Sequence, residues 1–220
     1  SKGDSPIGTG FGTFRTEARG ATYFTQPIVL GGTSLDKSID RTRFNLEAAV
    51  ASGPFKVQSQ YVRVSQEFMA PSSASAGTSV TPDINTYYVE ALWALTGEKH
   101  ADRYKAGAFG GIKPTKEFDA STFTGGAWEL GARYSAMDAS DFQNILSTVT
   151  SAVTAGTGYT KAKAYTLGVK FVPNMNTRFM LEFVNSDFEA PVSAGTATVT
   201  VNGRPETQEK AVLFRTQFMF

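Results

Sequence analysis

Apolar and polar residues trade places at every second position in one stretch of this sequence after another. The run "KAVLFRTQFMF" sets Val212, Phe214, Phe218 and Phe220 against Arg215 and Gln217, and "TRFMLEFV" sets Phe179, Leu181 and Phe183 against Arg178 and Glu182. A period of two sends successive side chains to opposite faces of a strand, so each run describes a sheet whose two faces meet different surroundings. Bounded by clusters of Gly, Pro, Asn and Asp, these runs place eight strands at 11–24, 41–52, 54–66, 85–96, 126–138, 161–172, 176–187 and 209–220. Each is long enough to cross a bilayer as a tilted strand of about nine to eleven residues. Only short helical stretches are expected, for example around Asp141 to Ser147.

Two architectures satisfy such a pattern. In a β-sandwich the apolar faces pack on one another; in a transmembrane barrel they face lipid and the polar faces line the inside. The chain is only 41% hydrophobic yet 12% aromatic, with 17 Phe, and its aromatics gather near strand ends, as in Tyr87 and Trp93 or Trp128 and Tyr134. Interfacial girdles need that placement, and the opposite face is hydrophilic along its whole length. No apolar run approaches the roughly 18 residues of a membrane helix, so any span is β. The expected fold is therefore all-β, an antiparallel transmembrane β-barrel with eight strands in this chain. A terminal strand carrying Phe214, Phe218 and Phe220 also suits a signal for barrel assembly.

Connection lengths set the orientation. "ASGPF" and "VPNMNT" are short, as periplasmic turns are, whereas 25–40, 67–84, 139–160 and 188–208 are long and rich in Ser, Thr, Ala and Gly, as outer loops are. The stretch 97–125 then falls on the periplasmic side although it is far too long for a turn. It is expected to be an inserted segment that enters the barrel interior or covers its mouth.

Basic residues at inward parity are Arg15, Arg19, Arg43, Lys56, Arg133, Lys170, Arg178 and Arg215, against the acidic Glu17, Glu47, Glu90, Glu129 and Glu182. The inside is thus biased toward anions in a chain whose 21 Lys and Arg nearly balance 20 Asp and Glu. Segment 97–125 adds Lys99, Arg103, Lys105, Lys113 and Lys116. All of these are candidate pore-lining anion sites. The alternatives are cross-strand ladders for the strand residues and a plain solvated loop for the segment.

Other chemistry finds little support. Cysteine is absent, and no metal-ligand spacing or cofactor motif is present. His100 is the single histidine, in a polar stretch, and is expected to be solvent-exposed rather than a catalytic base. "GTGFG" lacks the remaining elements of a nucleotide-binding loop, and the near-neutral charge argues against nucleic acid. No enzyme activity is expected, and no cofactor. "SKGDSPIGTGFG" is unlike a signal peptide, so any signal has been removed or lies upstream.

The combination "ALTGEKHADRYKAGAFGGIKP", "GAWELGARYSAMD", "TLGVKFVPNMNTRFMLEFV" and "KAVLFRTQFMF", in this order, resembles the phosphate-selective porin family, porins O and P. The resemblance runs from about Arg41 to Phe220, and weakly through "FRTEARG". It implies a sixteen-stranded outer-membrane barrel of a Gram-negative bacterium, a homotrimer conducting phosphate or related anions past arginines and lysines. On that reading residues 1–220 are the carboxyl-terminal half of the barrel, or a reduced and narrow relative. Its partners would be outer-membrane lipid and lipopolysaccharide, the barrel assembly machinery and small anions. The competing expectation is a non-conducting barrel that anchors adhesive surface loops.

Overall fold

The computed structural model describes residues 2–6, 13–25, 28–29, 38–69, 79–143, 153–154, 157–191, 199–201 and 204–219. Eight strands form one continuous antiparallel wall: β1 (Lys2–Pro6), β2 (Ser38–Ser52), β3 (Phe55–Met69), β4 (Asp83–Ala94), β5 (Ala127–Asp138), β6 (Thr157–Asn174), β7 (Thr177–Pro191) and β8 (Gln208–Phe218). Each pairs with its neighbours in chain order, so the wall is an up-and-down meander. β2 through β8 overlap the expected strands from 41–52 onward. The expected strand 11–24 does not become a strand of the meander, whose first strand is β1, paired to Ser38–Thr42; only Phe24 and the adjoining Thr25 pair with the wall, at the start of β6.

Residues 13–25 instead form a short hairpin, Thr13–Arg15 against Thr22–Thr25, folded onto the polar face of the sheet. "FRTEARG" alternates like a wall strand, but the chain reverses within it. Thr16 N–H donates to the Ala21 carbonyl at 3.0 Å, Arg19 N–H donates to the Thr16 carbonyl at 2.8 Å, and Arg19 sits at φ 57°.

The apolar face is uncovered. Leu46, Leu167, Val212 and Phe214 each keep 60% or more of their surface exposed, so among the described residues no second sheet packs on this face. The register sorts the aromatics of this face into two rows: Phe55 opposite Trp93 and Trp128 opposite Phe171 at one end, Tyr61 opposite Tyr87 and Tyr134 opposite Tyr165 at the other. In each of these strands the two rings stand six residues apart, about 20 Å along the strand. The first row stacks, with Trp128 and Phe171 at 4.4 Å and Phe179 and Phe214 at 6.5 Å between ring centroids. Just beyond the tyrosine row come ion pairs, Lys161–Asp138 and Lys163–Glu189 at 2.8 Å each and Arg63–Asp83.

A closed barrel is not formed among the described residues. β1 covers only the first part of β2, and neither the rest of that edge nor the outer edge of β8 is paired. Phe214 and Phe218 stand exposed on the apolar face, while Phe220 lies outside the described residues. So does "GTGFG". Residues 141–143 open a helical turn where one was expected, and its continuation lies outside the described residues.

Candidate functional site

The polar face of the wall carries two insertions, one at each end. The short turns Gly53–Pro54 and Met175–Asn176, the long connection 95–126 and the end of β8 all lie at one end; the hairpin 13–25 reaches the face from the other.

The hairpin is anchored by apolar packing. Phe24 is completely buried, with Phe14 and Phe142 at 5.7 and 5.9 Å between ring centroids, and Tyr23 stacks on Phe188 at 5.5 Å. Its closest approach is at Gly158, at φ +96°, where a Cβ would fall 2.0 Å from the Tyr23 carbonyl oxygen; no side chain fits. Burial pushes the Tyr23 hydroxyl pKa well above its ordinary value, and the Glu17 carboxylate adds to the shift. Its hydroxyl accordingly stays protonated and donates to Met137 Sδ at 3.1 Å.

Beyond this anchor the tip projects over the polar face. Glu17 accepts a hydrogen bond from Ser135 Oγ at 2.7 Å and faces Arg133 Nη2 at 3.5 Å. Arg133 also meets Glu90 at 4.0 Å and lies over the Tyr88 ring at 4.0 Å. Arg15 and Arg19, on the hairpin, and Arg215, on β8, have no carboxylate partner among the described residues. Two cavities flank the tip, of about 620 and 350 Å³, and Glu17, Arg19 and Arg133 border both. Arg15 lines the larger; Lys170 and Arg215 line the smaller.

Segment 97–125 is anchored by polar groups. The His100 N–H donates to the Gly53 carbonyl at 3.2 Å, which brings the imidazole onto the polar face. His100 is therefore buried, not exposed as expected, with Nε2 3.6 Å from Glu129 Oε2. The cause is non-local, since a carbonyl in a distant turn positions it. Glu129, itself 3% exposed, is paired with Lys170. Burial lowers the His100 pKa, and Lys56 and Lys170 lower it further against the opposing pull of Glu129. Lys56 is buried beside the Phe109 ring, 5.4 Å from its centroid. A small apolar cluster of Ala94, Ile112, Ala127 and Val172 completes the contact.

The remaining candidates are dispersed. Arg43 shares the polar face of β2 with Asn45 and Glu47, which bond Gln60 of the next strand at 3.0 Å each. Arg178 packs on Gly111, and Arg103 Nε donates to the Gly111 carbonyl at 3.2 Å. Lys99, Lys105, Lys113 and Lys116 are exposed, and Lys116 Nζ reaches Thr124 Oγ1 at 3.5 Å. Tyr88, which supports Arg133, was not among the sequence candidates; its inward parity between Thr86 and Glu90 is the signal that marks it. Among the described residues no group of three or more His, Cys, Asp or Glu could hold a metal ion. The arrangement offers fixed charge along a polar wall.

A family model described as phosphate-selective porin O and P matches residues 14–220. Over 150 residues, 67% of this chain, the sequence is 30% identical to Porin O of Pseudomonas aeruginosa. The match spans 30% of the length of that relative.

Proposed function

From its membership of the phosphate-selective porin O and P family, to which this chain belongs, we propose that it forms part of the wall of an outer-membrane porin of a Gram-negative bacterium, a passive diffusion channel that favours anions such as phosphate or polyphosphate. The observation that carries this reading is the asymmetry of the sheet. Its apolar face is uncovered and bears two aromatic rows, while the opposite face is polar and holds Arg15, Arg19 and Arg215 beside two cavities, with no carboxylate paired to them among the described residues.

The open edges bear on the architecture. Unpaired backbone groups in hydrocarbon cost several kcal/mol each, so the edges of β2 and β8 require partner strands in a membrane. We propose that residues 1–220 supply about half of a sixteen-stranded barrel, as the resemblance implies; the 67% of the chain that matches spans 30% of Porin O, so the whole chain would correspond to a little under half of that relative. The short-turn end would then be periplasmic, with 97–125 at that mouth and the hairpin 13–25 narrowing the passage from outside. A homotrimeric state, lipid and lipopolysaccharide around the aromatic rows and a role for Phe214, Phe218 and Phe220 in recognition by the assembly machinery belong to the same proposal.

The test is reconstitution of the full-length protein in planar bilayers under a salt gradient. A zero-current potential of the sign for anion permeation, with chloride current reduced by phosphate, is expected. A correctly assembled protein that passes no current would overturn the reading in favour of a barrel that only anchors surface loops.

A further inference from the structure

A third cavity, of about 320 Å³, lies where segment 97–125 meets the short-turn end of the wall. Its charged lining consists of Arg103, Lys113 and Arg178, with no carboxylate among the described residues. Its remaining wall is largely apolar: Ile112 and Val172, both 2% exposed, and the thioethers of Met175 and Met219. The two arginines converge on one peptide unit. Arg103 Nε donates to the Gly111 carbonyl, and a Cβ on Gly111 would lie 3.2 Å from Arg178 Nη2, so the missing side chain lets the second guanidinium approach. Arg178 has no acceptor among the described residues, and Arg103 uses only its Nε.

We propose that this cavity binds an organic monocarboxylate carrying an aromatic or compact apolar group. Two half-buried guanidiniums side by side repel each other, and a carboxylate between them both removes that repulsion and accepts their planar N–H forks. The opposite wall selects for the rest of the molecule. Ile112 and Val172 back it from below, and Met175 and Met219 supply thioethers, which make favourable edge contacts with aromatic rings. Inorganic phosphate would satisfy the arginines but leave the apolar wall facing a strongly hydrated ion. A lipid is disfavoured because the cavity opens on the polar face, away from the aromatic rows. The inference deepens the porin reading by naming a class of anionic solute, and it rests on that reading only for the solute's passage.

The experiment is calorimetric titration of the full-length protein in detergent with benzoate, acetate and inorganic phosphate, alongside conductance of the same preparations in bilayers. Benzoate is expected to bind at least about tenfold more tightly than acetate or phosphate, 1.4 kcal/mol or more. Arg178→Gln and Arg103→Gln should each weaken benzoate binding by about tenfold, while Lys161→Gln, in an ion pair at the other end of the wall, should leave it unchanged. Equal affinity for benzoate and acetate, or an unaltered benzoate affinity in both cavity variants, would overturn the proposal. Conductance without benzoate preference sinks this site and leaves the pore intact; benzoate preference without conductance does the reverse.

Discussion

The two insertions on the polar face are held by opposite chemistry. The hairpin 13–25 grips the wall with rings, Phe24, Tyr23 and Phe14, and leaves the charges of Arg15 and Arg19 without partners among the described residues. Segment 97–125 meets it through His100, buried beside Glu129, Lys170 and Lys56 of the wall, with a small apolar cluster and the Phe118 ring edge-on to Phe171 at 5.3 Å. Charge that serves as an anchor is neutralised where it sits; charge beyond an apolar anchor stays available to a passing ion. Basic residues of the same inward parity therefore fall into two groups, and the distinction lies in what surrounds them.

The largest effect should come from removing the apolar grip. Phe24→Ala deletes a fully buried ring and should weaken docking of the hairpin by about 3 to 5 kcal/mol. Limited proteolysis within residues 13–25 and single-channel conductance should both rise, because the tip no longer flanks the two cavities. Unchanged conductance in a variant that is cleaved there would show that the hairpin does not narrow the passage, and the comparison would lose its functional half.

Breaking the wall pair against which His100 rests should cost about 3 kcal/mol of wall stability, the low end for a broken buried ion pair, since Lys170 keeps 24% of its side-chain surface exposed. Glu129→Gln keeps the shape but withdraws the partner of Lys170 and the neighbour of His100. Hydrogen exchange in 97–125 should accelerate while the hairpin stays protected. Equal loss of protection at both insertions would mean that they dock as one unit.

How much of this was legible in the sequence differs between wall and insertions. β2 to β8 were readable because their two faces meet different media, and alternation records that directly. The hairpin was not, because Phe14, Thr16 and Ala18 alternate with Arg15, Glu17 and Arg19 just as a wall strand would; the reversal depends on the left-handed Arg19 and the Thr16–Ala21 hydrogen bond. For the candidate site, parity put Arg133 and Glu90 on one face, but the pairing of Arg133 with Glu17 arises only when the hairpin folds back. The burial of His100 depends on the Gly53 carbonyl, which nothing near position 100 announces.

A smaller effect separates the insertions by pH. Burial depresses the His100 pKa below its ordinary value near 6.5, with Lys56 and Lys170 acting the same way and Glu129 opposing. The undocked segment therefore takes up a proton first as the medium is acidified. Docking is fully stable above the ordinary value and is lost progressively as pH falls below it toward the lower folded-state value. The protection against hydrogen exchange at residues 97–105, relative to the intrinsic rate at each pH, should fall from pH 7.5 to 5, and His100→Gln should flatten the dependence. A hairpin that loosens over the same range would break the contrast, since none of these groups belongs to it.

The smallest expected effect is a shift of ion selectivity, and it compares like with like. Arg19→Glu and Lys99→Glu reverse one charge on each insertion. A unit charge in water acts on another at 4 Å with only about 1 kcal/mol, and beyond a Debye length of about 10 Å at 0.1 M salt little remains. Arg19 borders both cavities beside the wall, where the low-dielectric side of the sheet limits screening. Lys99 is exposed and lines none of the three cavities. Arg19→Glu should therefore move the zero-current potential toward cation permeation, more strongly at low salt, and Lys99→Glu should move it less under every condition. A larger shift from Lys99→Glu would place the selective charge on the polar-anchored insertion and reverse the assignment of roles between the two.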